Sequence, residues 1–149
     1  MRLFIDTNLF IEYFSKRCQF LYVRQIFNAI EDKKHEGFIS SGSFYTIAYV
    51  MEMEMKRNGV KNPEKLKKNR DYLCAVLDLV SIVSANGLGY RNGVMDENFS
   101  DLEDSFQYQC AIASNCDVLL NINTPDFKGA DKNRIMVMSP EDFVKQYLE

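Results

Sequence analysis

The sequence predicts one α/β domain, a parallel β-sheet covered by helices on both faces. Three observations predict it. Short apolar runs of strand length alternate along the chain with longer segments of helical period, and strands alternating with helices in this way form parallel sheets between helical layers. The 149 residues are the size of one ordinary domain. No repeat, low-complexity tract or linker divides them, so 1–149 reads as a single unit.

The first strand is Leu3 to Ile5, and it stops abruptly on Asp6; an apolar segment, Leu9 to Phe14, follows. Phe20, Val23, Phe27 and Ile30 then recur at helical spacing, and the charged run from Glu31 to Glu36 with Gly37 stops that helix. Phe38-Ile39 is a second strand. Ser40, Ser41 and Ser43 offer a cap for the next helix, Phe44 to about Arg57, in which Met51, Met53 and Met55 are expected to fill the core, with a partner surface as the alternative. Asn58-Gly59 and Asn62-Pro63 mark a turn. A helix from about Pro63 to Leu77 carries a basic face, and Leu79 to Val83 is the third strand. Asp101 to Asn115 is a helix with Leu102, Phe106, Cys110 and Ala113 on its apolar side. Val118 to Leu120 and Ile135 to Val137 are two further strands, and Ser139-Pro140 opens a C-terminal helix.

Composition narrows the function. Hydrophobic residues at 46% support a packed core and exclude a disordered chain. No apolar run is long enough to span a bilayer and no signal-peptide layout is present, so a cytosolic protein is expected. Cys18, Cys74, Cys110 and Cys116 match no zinc pair and no disulfide framework, and most are expected to be reduced and buried. The net charge of -3 excludes a globally basic nucleic-acid binder, but the charges are unevenly spread. Seven basic residues and one acid lie between Lys56 and Arg70, whereas five acids and no base lie between Asp96 and Asp104.

The acids carry the chemistry. Asp6 ends a strand, Asp101 and Asp104 share one face of a helix's first turn, and Asp126 follows the fourth strand by a short loop. In a parallel sheet all of these fall at the carboxyl edge, where ligands gather. Carboxylates collected in one place repel unless a cation sits among them, and oxygen donors without His or Cys suit Mg²⁺ or Mn²⁺. Such ions acidify an attacking water and stabilise charge on a transferring phosphoryl group. Three of the four acids also have a local alternative: Asp6 as the N-cap of the segment behind it, Asp101 and Asp104 as complements to a helix dipole.

Ile5-Asp-Thr-Asn8, Asp101-Leu-Glu-Asp-Ser-Phe-Gln-Tyr108 and Leu119-Leu-Asn-Ile-Asn-Thr-Pro-Asp-Phe127, in this order and at these distances, resemble a PIN domain over nearly the whole chain. The resemblance implies a three-layer α/β/α fold with a five-stranded parallel sheet and a metal-dependent endoribonuclease acting on single-stranded RNA. Many small stand-alone bacterial members are toxins silenced by an antitoxin protein, and such proteins often dimerise. By the same resemblance Asp6 and Asp104 are metal ligands, Asp101 is an acidic companion, and Asn123 or Asp126 supplies the last polar group. Asn8 is expected to hydrogen-bond Asp6 or a bound water. The family's usual helix glutamate is matched by Thr46, which has no charge to offer. A degenerate, non-cutting module that binds RNA or protein is therefore the competing reading, and a nuclease on structured DNA a third.

Lys61, Lys65 and Lys68, in the basic stretch, are candidate contacts to an RNA backbone. The alternative for them is a solvated helix face. His35, the one histidine, lies in a charged helix end away from the acids and is not expected to act as a general base.

Overall fold

A computed structural model describes residues 1–149. Five strands, β1 (Arg2–Ile5), β2 (Glu36–Ser40), β3 (Ser81–Val83), β4 (Val118–Leu120) and β5 (Met136–Met138), form one sheet in the order β3-β2-β1-β4-β5. Every pairing is parallel. The helices are α1 (Thr7–Phe14), α2 (Phe20–Glu31), α3 (Ser41–Arg57), α4 (Glu64–Leu79), α5 (Gly87–Met95), α6 (Leu102–Ala113) and α7 (Pro140–Tyr147), with a 3-10 turn at Thr124–Phe127.

Strand side chains alternate between the two faces of a sheet, and here each face has its own core. Leu3, Ile5, Ile39, Val118 and Leu120 pack with residues of α1, α2, α3, α4 and α7. Phe4, Phe38 and Leu119, their neighbours in sequence, pack on the other side with Tyr108, Cys110 and Ala111 of α6. Burial on both faces is why Leu3-Phe4-Ile5 reads as an unbroken apolar run. The result is a three-layer α/β/α domain with the sheet in the middle.

Gly37 lies inside β2 and does not end a helix as its sequence context suggests. A Cβ there would stand 2.7 Å from Val80 Cγ1 and 3.0 Å from Ile30 Cδ1, so only glycine lets α2 and the end of α4 close onto the strand. Gly37→Ala is expected to lower stability by about 1–3 kcal/mol through overpacking, seen as a lower urea midpoint with an unchanged slope.

Other departures have equally local causes. Helix α5 is not legible in the sequence because Gly87, Gly89 and Gly93 dilute its pattern. It forms because Asn86 caps it, accepting from the Gly89 N–H at 2.9 Å, and because Gly93 seats the ring of Phe106, which a Cβ would meet at 2.9 Å. Helix α4 continues to Leu79, so β3 begins at Ser81 rather than Leu79. The buried side of α6 holds Ser105, Gln107, Tyr108, Cys110 and Ala111, while Leu102 is exposed; the expected apolar stripe is rotated because this helix offers polar groups to the sheet edge. Cys110 and Cys116 are buried thiols, but Cys18 and Cys74 are exposed. His35 sits where the strands begin, its Nδ1 3.2 Å from the Met1 amino group, and takes no part at the carboxyl edge.

Candidate active site

From β1 the chain builds outward through β2 and β3, then returns to place β4 on the other side of β1. Such a switch point opens a crevice beyond the carboxyl ends of the two central strands. Asp6 follows β1 and Asn121 follows β4 there, tied by the Asp6 N–H donating to the Leu120 carbonyl at 3.0 Å.

Asp6 stands at the N-cap position of α1, yet its carboxylate caps nothing. Instead Oδ1 accepts from Gln107 Nε2 at 2.7 Å and Oδ2 accepts from Asn121 Nδ2. The side chain is 6% exposed and has no cationic partner. Burial pushes its carboxyl above the ordinary range, opposed by the hydrogen bonds from Gln107 and Asn121.

Both amides are held in one orientation. Gln107 Oε1 accepts from Ser40 Oγ at 2.5 Å, while its Nε2 also reaches Ser43 Oγ at 2.7 Å. Ser43 Oγ lies 2.8 Å from Thr7 Oγ1. Asn121 Oδ1 accepts from the Asn123 N–H at 2.5 Å. Ser40 at the end of β2 also caps α3, accepting from the Ser43 N–H at 3.0 Å, as the serine cluster suggested. A buried polar network from β1, β2, β4, α1, α3 and α6 thus aims one carboxylate at the crevice.

Asp104, half-buried in the first turn of α6, faces the same crevice. Its pKa is pushed up to about 7, first by burial and then by the charges of Asp101, Asp6, Asp126 and Glu103. Those named neighbours are the acids that the sequence singled out, joined by Glu103, and their mutual repulsion is the electrostatic signature of the site. Asp101 is the N-cap of α6: its Oδ1 accepts from the N–H groups of Glu103 at 2.8 Å and Asp104 at 3.3 Å. Asp126 is exposed in the 3-10 turn and accepts from Asn123 Nδ2 at 2.8 Å, so Asn123 and Asp126 act as a pair. Asn8 does not bond Asp6; its Oδ1 is buried with no partner.

The donor chemistry fits a hard divalent ion, since the acids are all oxygen donors and their repulsion is what a cation relieves. The spacing is wider than a closed cage: no three acidic side chains converge tightly enough to hold one ion by themselves. Mg²⁺ is commonly held by one or two carboxylates with water completing its shell, so the absence of a closed cage does not conflict with that chemistry.

Thr46 is half-buried, makes no hydrogen bond, and lines a cavity of about 160 Å³ with Gly42, Tyr90, Glu103 and Phe106. Ser43, one turn earlier on α3, is the residue of that helix that reaches the Asp6 network. Of the three candidate lysines, Lys65 pairs with Glu52 at 3.6 Å and Lys68 with Glu64 at 3.1 Å, leaving Lys61 exposed and unpaired.

Gln107, Asn121, Ser43 and Glu103 are site residues that sequence reasoning did not single out. Gln107 carried a usable signal, since it follows Asp104 by three positions and so shares its helix face. Asn121 carried none, because a polar residue after a strand is ordinary.

A family model described as PIN domain matches residues 2–124. The chain is 24% identical over 150 residues to Ribonuclease VapC1 of Aquifex aeolicus (strain VF5), covering 98% of this chain and 95% of that protein. Its fold is similar to a chain in the crystal structure of VapBC2 from Rickettsia felis bound to a DNA fragment from their promoter. That similarity has a TM-score of 0.68 and 16% identity, covering 93% of this chain and 98% of the other.

Proposed function

The chain belongs to the PIN domain family, and from that premise we propose that it is a metal-dependent endoribonuclease cleaving single-stranded RNA, the toxin of a toxin–antitoxin pair. The observation that carries the reading is the crowding of Asp6, Asp101, Glu103 and Asp126 around Asp104, which a divalent cation would relieve. The similarity to a protein named Ribonuclease VapC1 supports the substrate class, and the likeness to a chain of a VapBC assembly supports an antitoxin partner.

Asp6 and Asp104 would hold Mg²⁺ or Mn²⁺, with Asp126 at the mouth and Asp101 adding charge beside them. The bound ion supplies an acidified water and a counter-charge for the phosphoryl oxygens. Gln107 and Asn121 keep both Asp6 oxygens oriented, the outer support that ligating carboxylates depend on. Asp101 caps α6 and so fixes the turn from which Asp104 projects. Of the three candidate lysines, Lys61 is the one able to meet an RNA phosphate without first breaking an ion pair.

Calorimetric Mn²⁺ titration tests the metal reading, and cleavage of single-stranded RNA, flap DNA and duplex tests the substrate. The reading requires metal binding that depends on Asp6 and cutting confined to single-stranded RNA; metal binding indifferent to Asp6 overturns it.

Thr46 favours a second reading, a PIN domain that binds RNA or protein without cutting. The discriminating variant is Thr46→Glu. On the nuclease reading cleavage falls by about tenfold or more, because the new carboxylate enters the cavity beside Glu103 and adds like charge next to Asp104. Cleavage that appears only in the variant supports the degenerate module.

A further inference from the structure

We propose that the cavity between α3, α5 and α6 is a base-binding subsite for a single-ring nucleobase with an exocyclic amino group, cytosine, carried by the nucleotide whose phosphate lies at Asp6 and Asp104. The inference rests on the nuclease reading and gives it a substrate preference.

Size comes first. The cavity holds about 160 Å³, close to the roughly 150 Å³ that accommodates a benzene ring in a protein interior. One six-membered ring fills it. Shape agrees, because one wall is aromatic: Tyr90 and Phe106 meet edge to face with centroids 5.8 Å apart. Both rings are fixed in advance. The Tyr90 hydroxyl lies 2.8 Å from Ser84 Oγ, and Phe106 is seated against Gly93, which is itself tied to α6 by Ser105 Oγ donating to its carbonyl at 2.8 Å. Splayed bases of single-stranded RNA stack on such rings. The facing wall is small, made by Gly42 and Thr46. A glutamate at 46 would occupy the space, so threonine there creates room as well as removing a charge.

Two polar groups line the cavity without a partner. The Thr46 hydroxyl makes no hydrogen bond, and the Glu103 carboxylate makes neither a hydrogen bond nor an ion pair. A carboxylate only accepts, whereas a hydroxyl can donate. Cytosine presents the matching edge: its amino group donates to Glu103 and its ring nitrogen or carbonyl accepts from Thr46. In the same pose uracil would turn its O4 carbonyl toward Glu103, leaving the carboxylate without a donor, and a purine exceeds the one-ring volume. The subsite adjoins the acids through shared residues. Gln107 lines the cavity and donates to Asp6, and Glu103 precedes Asp104 in α6.

The experiment measures binding apart from cutting. Non-cleavable 2′-O-methyl uridine pentamers with a central C, U, A or G are titrated by fluorescence anisotropy, and RNA of mixed sequence is cleaved in parallel and its cut sites mapped. The C pentamer is expected to bind about tenfold more tightly than the U pentamer. Glu103→Gln, an exposed position, should erase most of that difference, and Thr46→Leu, which fills the cavity, should erase it too. Cytidine monophosphate should shift amide resonances of Thr46, Tyr90, Glu103 and Phe106. A cytosine preference in binding without any cleavage keeps the subsite and overturns the nuclease. Cleavage without base preference keeps the nuclease and overturns the subsite. A purine preference, or a cytosine preference untouched by Glu103→Gln, also overturns it.

Discussion

Asp6→Asn is expected to reduce RNA cleavage and Mn²⁺ affinity by more than about 100-fold, beyond the 10- to 100-fold that loss of a supporting hydrogen bond brings at metal sites. The size of the effect follows from the network around the residue. Asparagine keeps the shape but must place an NH₂ where Asp6 has an oxygen, and both neighbours there are donors, Gln107 Nε2 and Asn121 Nδ2. Asn121 cannot flip to compensate, because its Oδ1 is committed to the Asn123 backbone N–H. A flip of Gln107 requires the Ser40 hydroxyl, which donates to Oε1, to turn and accept instead. The variant therefore loses a charge and must either hold a donor–donor conflict or rearrange a buried network, a class of defect that costs about 1–3 kcal/mol. Cleavage assays on a labelled single-stranded RNA, calorimetry and urea unfolding read the three consequences separately. Activity within a few-fold of the unsubstituted protein would remove Asp6 from the mechanism.

Asp104→Asn is expected to destroy metal binding while making the metal-free protein more stable at pH 8. The sign follows from proton linkage. The Asp104 carboxyl titrates near 7 in the folded chain, against an ordinary value of 3.8 when unfolded, so between those values the folded state holds the extra proton. Stability therefore falls as pH rises through that window, and the unfavourable contribution is complete above pH 7. Because Asp104 is only partly buried, solvent screening reduces the cost to about 1 kcal/mol. Asp6, also shifted upward, contributes in the same direction. The metal-free protein should gain stability from pH 8 to pH 5, and the variant should show a flatter profile over that range. Mn²⁺ should raise the melting temperature at pH 8 more than at pH 5, since proton and metal compete for the same oxygens. A flat profile in the unsubstituted protein would mean that neither burial nor the neighbouring acids raise the Asp104 carboxyl.

These expectations depend on features of unequal visibility in the sequence. The strands were legible wherever burial on both faces produced a continuous apolar run, as in Leu3-Phe4-Ile5 and Val118-Leu119-Leu120. Helix α5 was not, because its stability comes from the Asn86 cap and the seat of Phe106 on Gly93 rather than from periodicity. Asp101 was expected as an acidic companion of the metal ligands or as a complement to the helix dipole, and the structure adds that its carboxylate caps α6. Asn8 was expected to hydrogen-bond Asp6 or a bound water; the partners of Asp6 are Gln107 and Asn121, more than a hundred residues away along the chain.

The sequence by itself determined the parallel α/β architecture and the gathering of Asp6, Asp104 and Asp126 at one edge. The hydrophobic period is a local property, and a parallel sheet sends every strand end to the same side. Only the tertiary structure decided how those acids are supported and what lies beside them. The hydrogen bonds on Asp6, the charges that raise Asp104 and the cavity between Thr46 and Glu103 each join elements distant in the chain. Interactions of that kind are set by packing geometry, which no local pattern of residue types encodes.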